Sequence, residues 1–364
     1  VRLRQLQIKN FRCFENKTVQ FPDTITLVDG LNGSGKTSIL EALHYLCYLR
    51  SFRTHATQDL IRFGQDAFFL KATLLVDTGS GEQETELQVG FSGKKRSVKI
   101  NQKAIQSYQE LMDYYRVVTL TEDDLLLIQG SPEERRTFLD LLLIMHEPQF
   151  ADAARTLRAV VQNRNKLLQM GSVDKTMYTI LTEQLWHASV VIRTFRREIL
   201  TLLQHETNYI VATYFQEPVE IFFEYQVKNG KKYETLEQLL AANPSLYYDE
   251  IRYRRSLFGA QLDDFTVTFH DKRSRSFASR GQQKLIVLLL KIAQMRLLAA
   301  KKGPAIFLLD DFMTDFDEKR AQILLTVLSQ LGNQVIVTSP LTGGILHDQL
   351  LQIGSHVSLA SAPG

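Results

Sequence analysis

Cysteine is scarce in this sequence. Only Cys13 and Cys47 are present, with no CxxC pair and no histidine cluster at zinc spacing. That argues against a zinc module or a disulfide scaffold, and two reduced thiols in the core are expected. Long apolar runs are missing as well. The longest, at 285–290 and 305–309, fall far short of the ~18–20 residues a membrane span needs. The opening residues Val1-Arg2-Leu3-Arg4-Gln5 alternate charged and apolar side chains without a signal-peptide core, so a cytoplasmic location and no membrane association are expected. Nor is there a strong excess of one charge. A formal net charge of +3 neither demands nor excludes nucleic acid, because a binding face is a local patch rather than a global sum. What is present is ordinary for a globular chain: 44% hydrophobic and 23% charged residues over 364 positions, room for two to three domains of ~100–200 residues.

Residues 2–9, 16–21 and 24–28 read as strands, and 37–49 as a helix with Ile39, Leu40, Leu43, Leu46 and Cys47 on one side. Strand patterns return at 68–76, 85–91 and 96–100 between Gly-rich and charged turns. The middle changes character. From 132 to 170 the chain is nearly all helix former, interrupted at Pro148, and a second helical run extends from 175 to about 215. In that run Tyr178, Leu181, Leu185, Ala188, Ile192, Phe195, Ile199 and Leu202 alternate spacings of three and four, a coiled-coil seam. Phe150, Ala153, Leu157, Val160 and Leu167 answer it from the first run, with Arg164 on the same seam. The turn Gly171-Ser172-Val173-Asp174 then makes the two runs an antiparallel helical hairpin. Further strands are expected at 219–225, 265–269, 274–277, 305–310 and 334–338, and helices at 282–300 and 318–331, with Asn229-Gly230 as a turn. The fold class is α/β, a parallel sheet assembled from both chain ends. The expected division is 1–120 and 265–364 for the head, and 121–264 for an inserted, mainly helical domain.

Gly30-Leu31-Asn32-Gly33-Ser34-Gly35-Lys36-Thr37 fits the phosphate-binding loop GxxxxGK[ST], placed between a buried strand and a helix. Glycines let backbone N–H groups turn inward onto phosphate oxygens, and the helix N-terminus adds its dipole. Residues 30–37 together with Ser38 are the expected nucleotide-binding set. Lys36 neutralises the β- and γ-phosphates of ATP, and the Thr37 hydroxyl holds Mg²⁺. Ile306-Phe307-Leu308-Leu309-Asp310-Asp311 is a buried strand ending in two carboxylates. A bare acid pair in that position is ordinarily a helix cap or a solvated rim. Coupled to a phosphate loop it becomes a Walker B element, with Asp310 on Mg²⁺ and Asp311 polarising the attacking water. Ser279-Arg280-Gly281-Gln282 opens the long helix before that strand. Its plain reading is a helix N-cap; its functional reading is the signature motif of ABC-type ATPases.

These three motifs, in this order, resemble the ABC-ATPase heads of chromosome-maintenance and repair proteins. Further stretches resemble the RecF family in particular: Ile8-Lys9-Asn10-Phe11-Arg12, Ser51-Phe52-Arg53-Thr54, Asp59-Leu60-Ile61-Arg62-Phe63-Gly64, the run Gly130-Ser131-Pro132-Glu133-Glu134-Arg135-Arg136-Thr137-Phe138-Leu139-Asp140, and 307–317. The resemblance spans essentially the whole chain. It implies a slow, non-motor ATPase that dimerises on ATP, with Ser279, Arg280, Gly281 and Gln282 acting in trans. It further implies binding to DNA near single-strand/double-strand junctions and assistance to RecA loading with RecO and RecR.

There are departures from the family pattern. Gly259-Ala260-Gln261-Leu262-Asp263-Asp264 stands where the family usually reads G-P-H-R-D-D, and Thr121 stands where a proline is common. The D-loop reads Thr314-Asp315-Phe316-Asp317. Ser339 replaces the switch histidine of transporter ATPases, which leaves Thr338 or Ser339 to face the γ-phosphate. Arg53, Arg62, Lys94, Lys95, Arg96, Arg252, Arg254 and Arg255 are the candidate DNA contacts. A transporter ATPase, a chromosome-organising ATPase of the SMC class, and a nuclease fused to an ATPase head are the alternatives. The helical insertion, the short hairpin, and the lack of a metal-ligand cluster outside the ATP site respectively weigh against them.

Overall fold

The computed structural model describes all residues except 23, 78–80, 106, 171, 216–219, 229–232, 271, 312–315, 317, 341–344 and 360–364. In chain order it begins with β1 (Arg2–Phe11), β2 (Phe14–Gln20), β3 (Ile25–Gly30) and α1 (Lys36–Tyr48), then β4 (Ala67–Asp77), β5 (Glu82–Ser92), β6 (Lys95–Ile100) and β7 (Lys103–Ala104). Next come α2 (Tyr108–Tyr114), β8 (Val117–Leu120), α3 (Leu126–Gln129), α4 (Pro132–His146), α5 (Phe150–Gln169), α6 (Lys175–Ile210) and β9 (Ile221–Gln226). They are followed by α7 (Leu236–Ala242), α8 (Leu246–Tyr253), β10 (Asp264–Phe269), β11 (Lys272–Arg273), α9 (Ser274–Phe277) and α10 (Arg280–Lys302). The chain closes with β12 (Ile306–Leu309), α11 (Glu318–Gln330), β13 (Val335–Pro340), α12 (Ile345–Ile353) and β14 (Ser355–Leu359).

Two compact units result. The first holds Val1–Asp124, Thr213–Phe215 and Lys284–Gly364; the second holds Leu125–Ala212 and Gln216–Gln283. The second boundary falls later than the expected 264/265. Its cause is strand pairing: β10 runs antiparallel to β9, with Phe265 opposite Tyr225 and Phe269 opposite Ile221.

The first unit has two sheets. One is antiparallel in the order β2-β1-β4-β5-β6-β7, the other wholly parallel in the order β14-β3-β13-β12-β8. Both chain ends therefore build one sheet, as expected from the sequence. Helix α1 touches strands of both sheets, so every residue in it except Thr37 is buried. Its apolar residues suggested a one-sided helix; packing between two sheets buries Glu41 and His44 as well. Burial holds the His44 imidazole neutral, with its pKa lowered to about 3, and Nδ1 meets Thr119 Oγ1 at 2.8 Å. Cys47 is buried and its thiol is pushed up to about 12, whereas Cys13 is exposed in the turn between β1 and β2. The expectation of two core thiols fails at Cys13.

In the second unit, α5 and α6 form the expected hairpin. Leu167 and Leu168 pack with Tyr178 and Leu181, Arg164 meets Thr182, and Phe150 meets Phe195, so low numbers on α5 face high numbers on α6. At ~1.5 Å per residue, the 36 residues of α6 span about 54 Å. The seam holds through Ile199. It then drifts, because 3.6 residues per turn does not match a strict heptad: Leu203 is buried and Leu202 exposed. Residues 274–277 are not the expected strand but the single turn α9, whose Ser274 and Ala278 carbonyls accept from Gln283 Nε2 at 3.4 and 3.0 Å. Gly171, Asn229 and Gly230 lie outside the described residues.

Arg164, the one charge on the seam, is 0% exposed. Its guanidinium grips Glu250 with Nη1 at 2.9 Å and Nη2 at 2.6 Å, and donates to Ser256 and Thr182 at 3.0 Å each. Tyr178 Oη also donates to Glu250, at 2.6 Å. The pair fastens α8 to the hairpin. Removing one partner leaves a buried charge unmatched, which costs about 3–5 kcal/mol. Arg164→Ala should lower the free energy of the unfolding step that melts the hairpin by that amount, seen as a lower urea midpoint at unchanged slope. Arg164→Met together with Glu250→Leu should recover much of it, and circular dichroism at 222 nm reads both.

Candidate functional site

Strand β3 ends at Gly30 and α1 begins at Lys36, so the phosphate loop bridges a buried parallel strand and a helix N-terminus. The backbone there needs glycine. Gly35 has φ +100°, and a Cβ on it would stand 2.4 Å from Phe14 Cζ and 2.8 Å from Cys13 Sγ. Lys36 is 5% exposed, and its ammonium donates to the Gly30 and Leu31 carbonyls at 2.8 and 3.2 Å. Ser34 Oγ is buried with no hydrogen-bond partner. A buried hydroxyl without a partner is uncommon and costly, and in a glycine-rich loop before a helix N-terminus it suits an anionic oxygen. The residues present therefore fit a phosphate ligand.

Sheet order brings the rest of the site together. Because β13 lies between β3 and β12, Thr338 at its end reaches the Asp310-Asp311 pair just beyond β12. Thr338 Oγ1 lies 2.8 Å from Asp310 Oδ1 and accepts the Asp311 N–H at 2.9 Å. Asp311 Oδ1 and the Leu309 carbonyl are more distant, at 3.4 Å each. The hydroxyl has one proton, and the shortest contact assigns it to Asp310. Thr37 Oγ1 donates to the same Asp310 oxygen at 3.0 Å. Asp310 thus has hydroxyls from the start of α1 and from β13 aimed at one carboxylate oxygen. Asp311 follows in the left-handed region, at φ +47°, a conformation Asp tolerates better than most residues. Thr338, one of the two residues expected at the γ-phosphate, stands within hydrogen-bond reach of both aspartates. Thr314, Asp315 and Asp317 lie outside the described residues.

Burial raises the Asp310 carboxyl above its ordinary value, outweighing the hydrogen bonds from Thr338 and Thr37 that lower it; Asp311 adds to the rise and Arg53 opposes it. A divalent cation beside Asp310 would relieve that burden, which suits the expected Mg²⁺ pair of Thr37 and Asp310.

The signature residues open α10 as a capping box. Gln282 N–H donates to Ser279 Oγ at 3.3 Å, and Ser279 N–H donates to Gln282 Oε1 at 2.8 Å. Ser279 and Arg280 are exposed, and a Cβ on Gly281 would meet nothing within 4 Å. The N-cap reading is therefore correct as local structure, and it leaves an open helix N-terminus with its dipole unspent.

The stretches that carried the family resemblance fall into two clusters. Arg12 binds the buried Glu41 of α1 through Nε at 2.8 Å and Nη2 at 2.7 Å; Ser51 donates to the same carboxylate, and Arg53 stands 3.8 Å from it. That hydrogen bond to Glu41, against burial, raises the Arg12 pKa. Arg12 Nη1 also donates to the Asp59 carbonyl at 2.9 Å. In the second unit Arg135 holds Asp264 in a fork at 2.7 and 2.9 Å, and Arg196 holds Asp140 at 2.8 and 2.9 Å. Arg193 Nε binds the buried Asp263 at 2.7 Å, and Arg136 donates to the Asp263 carbonyl at 2.7 Å. In the departing segment, Gln261 Nε2 donates to the Phe258 carbonyl at 2.7 Å. Thr121, unlike proline, has an N–H, and it donates to Asp124 at 2.8 Å. No sequence signal paired Arg12 with Glu41, or Arg164 with Glu250. Among the candidate DNA contacts, Arg96 is held by Tyr45 Oη at 3.1 Å and Arg62 lies 3.2 Å from Glu15, while Lys94 and Lys95 are exposed.

The fold and the loop–aspartate geometry define an ABC-type P-loop ATPase head with an inserted helical region. Comparison with known proteins narrows the class. Residues 2–350 match the family described as the RecF/RecN/SMC N terminal domain. The DNA replication and repair protein RecF of Desulfitobacterium hafniense is 30% identical over 347 residues, covering 92% of each chain. Among solved structures, the recombination mediator protein RecF with ATP, of the RecFOR pathway, superposes with a TM-score of 0.80 at 23% identity over 93% of each chain. The Smc head domain of Pyrococcus furiosus, bound to the C-terminal domain of ScpA, gives 0.56 at 16% identity over 99% of this chain and 94% of that one. Those two likenesses speak for the fold. This chain belongs to the RecF family of DNA replication and repair proteins.

The raised Asp310 pKa has a consequence for stability. The folded state holds that proton more tightly than the unfolded chain, so its contribution is present at low pH and lost as pH rises through the folded value. Asp310→Asn keeps an acceptor for Thr37 and Thr338. It should raise the melting temperature of the nucleotide-free protein at pH 7 by about 2–4 °C. The gain should shrink as pH falls toward the unfolded value of 3.8. Calorimetry across that range tests it, and an equal gain at both ends would count against a burdened carboxylate.

Proposed function

We propose that this chain is a slow ATPase that uses ATP to close two copies around DNA in recombinational repair. The observation that carries this is the convergence of Thr37, Asp310 and Thr338 beside a phosphate loop with an unsatisfied buried Ser34. ATP lies along Gly30, Leu31, Asn32, Gly33, Ser34, Gly35, Lys36, Thr37 and Ser38, and Lys36 exchanges its two loop carbonyls for phosphate oxygens. Mg²⁺ held by Thr37 and Asp310 supplies charge neutralisation at those phosphates. Asp311, fixed through its N–H by Thr338, orients and polarises the attacking water. The exposed N-terminus of α10, with Ser279, Arg280, Gly281 and Gln282, serves the phosphates of a second copy, which makes a head-to-tail dimer. ATP acts by binding the dimer better than the monomer.

DNA is held mainly through phosphates, near single-strand/double-strand junctions, in the cytoplasm. The protein assists RecA loading with RecO and RecR. Family membership and the RecFOR pathway of the solved relative support this reading. Among the described residues no helix is long and apolar enough to cross a membrane, and no other group of His, Cys, Asp and Glu could hold a metal.

Lys36→Ala removes the main cation of the triphosphate site and should weaken a fluorescent ATP analogue by 100-fold or more, on the order of 3 kcal/mol, in a folded protein. Wild-type affinity would remove the phosphate-loop assignment.

Ser279→Arg blocks the open helix end without touching the loop. It should abolish ATP-dependent dimerisation in light scattering and leave ATP binding by the monomer intact. Asp311→Asn should do the opposite, keeping the dimer, slowing hydrolysis and holding labelled gapped DNA longer than wild type. A Ser279→Arg protein that dimerises normally with ATP would sink the trans arrangement.

A further inference from the structure

The six-stranded antiparallel sheet buries one face and leaves the other open. Strand register fixes what stands on the open face. One row across it reads Asn16, Lys9, Phe69, Gly90 and Ser97. The row on one side includes Ser92 and Lys95, and the row on the other Lys71, Gln88 and Lys99. The two ends of this face differ in charge. At one end Glu82, Glu84 and Glu86 are each paired, with Arg2, Arg4 and Lys71. Toward the other end stand Lys9 and Lys95, with Lys99 on the Lys71 row between, and no carboxylate pairs with these three lysines among the described residues.

One aromatic ring stands at that basic end, and a second lies in the turn that borders it. Phe69 is 36% exposed, and its ring edge lies 3.9 Å from where a Cβ on Gly90 would be. It rests over the strand position that has no side chain, and its outer side is bare. Phe63 is 99% exposed. It does not dangle, because its turn is pinned to the end of β1. Arg62 N–H donates to the Asn10 carbonyl at 2.9 Å, Gln65 N–H to the Arg62 carbonyl at 3.0 Å, and Asn10 Nδ2 to Gln65 Oε1 at 3.2 Å. Nearby acids are partly occupied: Glu15 by Arg62 at 3.2 Å and Asp59 by Thr54 at 2.5 Å, while Asp66 is exposed.

We propose that this end of the open sheet face is a platform for single-stranded nucleic acid, with phosphates on Lys9, Lys95 and Lys99 and unpaired bases stacked on Phe69 and Phe63. The proposal rests on the DNA-binding reading above and goes beyond it by naming the strand form and the residues that select it. A duplex needs only the lysines, since its bases already stack on one another. Bare rings interleaved with unpaired cations add affinity only for a strand whose bases are free. An apolar protein partner would use the rings but gain nothing from three unpaired lysines.

The test uses the full chain and fluorescence anisotropy with a labelled oligothymidylate and a duplex of equal length, across a salt series. Phe63→Ala with Phe69→Ala should weaken the single strand about tenfold or more and leave the duplex within about twofold. Tyr at both positions should restore single-strand binding, whereas Leu at both should not. Lys9→Gln with Lys95→Gln should weaken both ligands and flatten the salt dependence. All these side chains are exposed or partly exposed, and unchanged melting temperatures check the fold. Unchanged single-strand affinity in the alanine variant, equal loss on the duplex, or full rescue by Leu would each overturn the platform. Wild-type protein that binds neither DNA would overturn the DNA reading itself, whereas DNA binding indifferent to both rings would overturn the platform alone.

Discussion

The placement of β13 between β3 and β12 is the constraint on which the site depends. Each of the three strands contributes one group at its C-terminal end: Thr37 after β3, Thr338 on β13, and the Asp310-Asp311 pair after β12. Parallel pairing fixes where each strand ends, and the phosphate loop after β3 then carries Thr37, at the start of α1, to the carboxylates. Ligands gather at the carboxyl ends of such sheets for this reason. Asp310 accepts two hydroxyls while burial works against its charge, a burden that a cation beside it would relieve.

The motifs were legible because each is local. A glycine-rich loop, an apolar strand ending in acids, and a serine before a long helix all declare themselves within a few residues. The hairpin was legible from its spacing. What failed in the reading is what depends on partners distant in sequence. The bond that joins Thr338 to the aspartate pair was not visible, because only the strand order brings them together. Helix α1 looked one-sided, and two enclosing sheets bury it all round. Residues 274–277 were expected as a strand, but they close a single helical turn, with the Ala278 N–H on the Ser274 carbonyl at 3.2 Å. Arg164 was an anomaly on an apolar seam until Glu250, far along the chain, supplied its counter-charge.

The run 130–140, the part of the sequence most particular to the family, is none of the three nucleotide motifs. Its Arg135, Arg136 and Asp140 lock α4 to β10 and α6 through forked ion pairs and a buried aspartate. Such forks need planar guanidinium groups, and lysine could not replace them. They are architecture, and they give the helical unit one defined arrangement where apolar packing alone would tolerate several.

Sheet order also sets a timetable for synthesis. Strand β3 pairs only with β13 and β14, which lie at the far end of the chain. While the ribosome is making everything in between, the strand that carries the phosphate loop has no neighbour on either edge. The hairpin unit has all its own strands and helices much sooner and can form as a block during translation. The nucleotide pocket therefore comes together after the hairpin unit, once β12, β13 and β14 have been made.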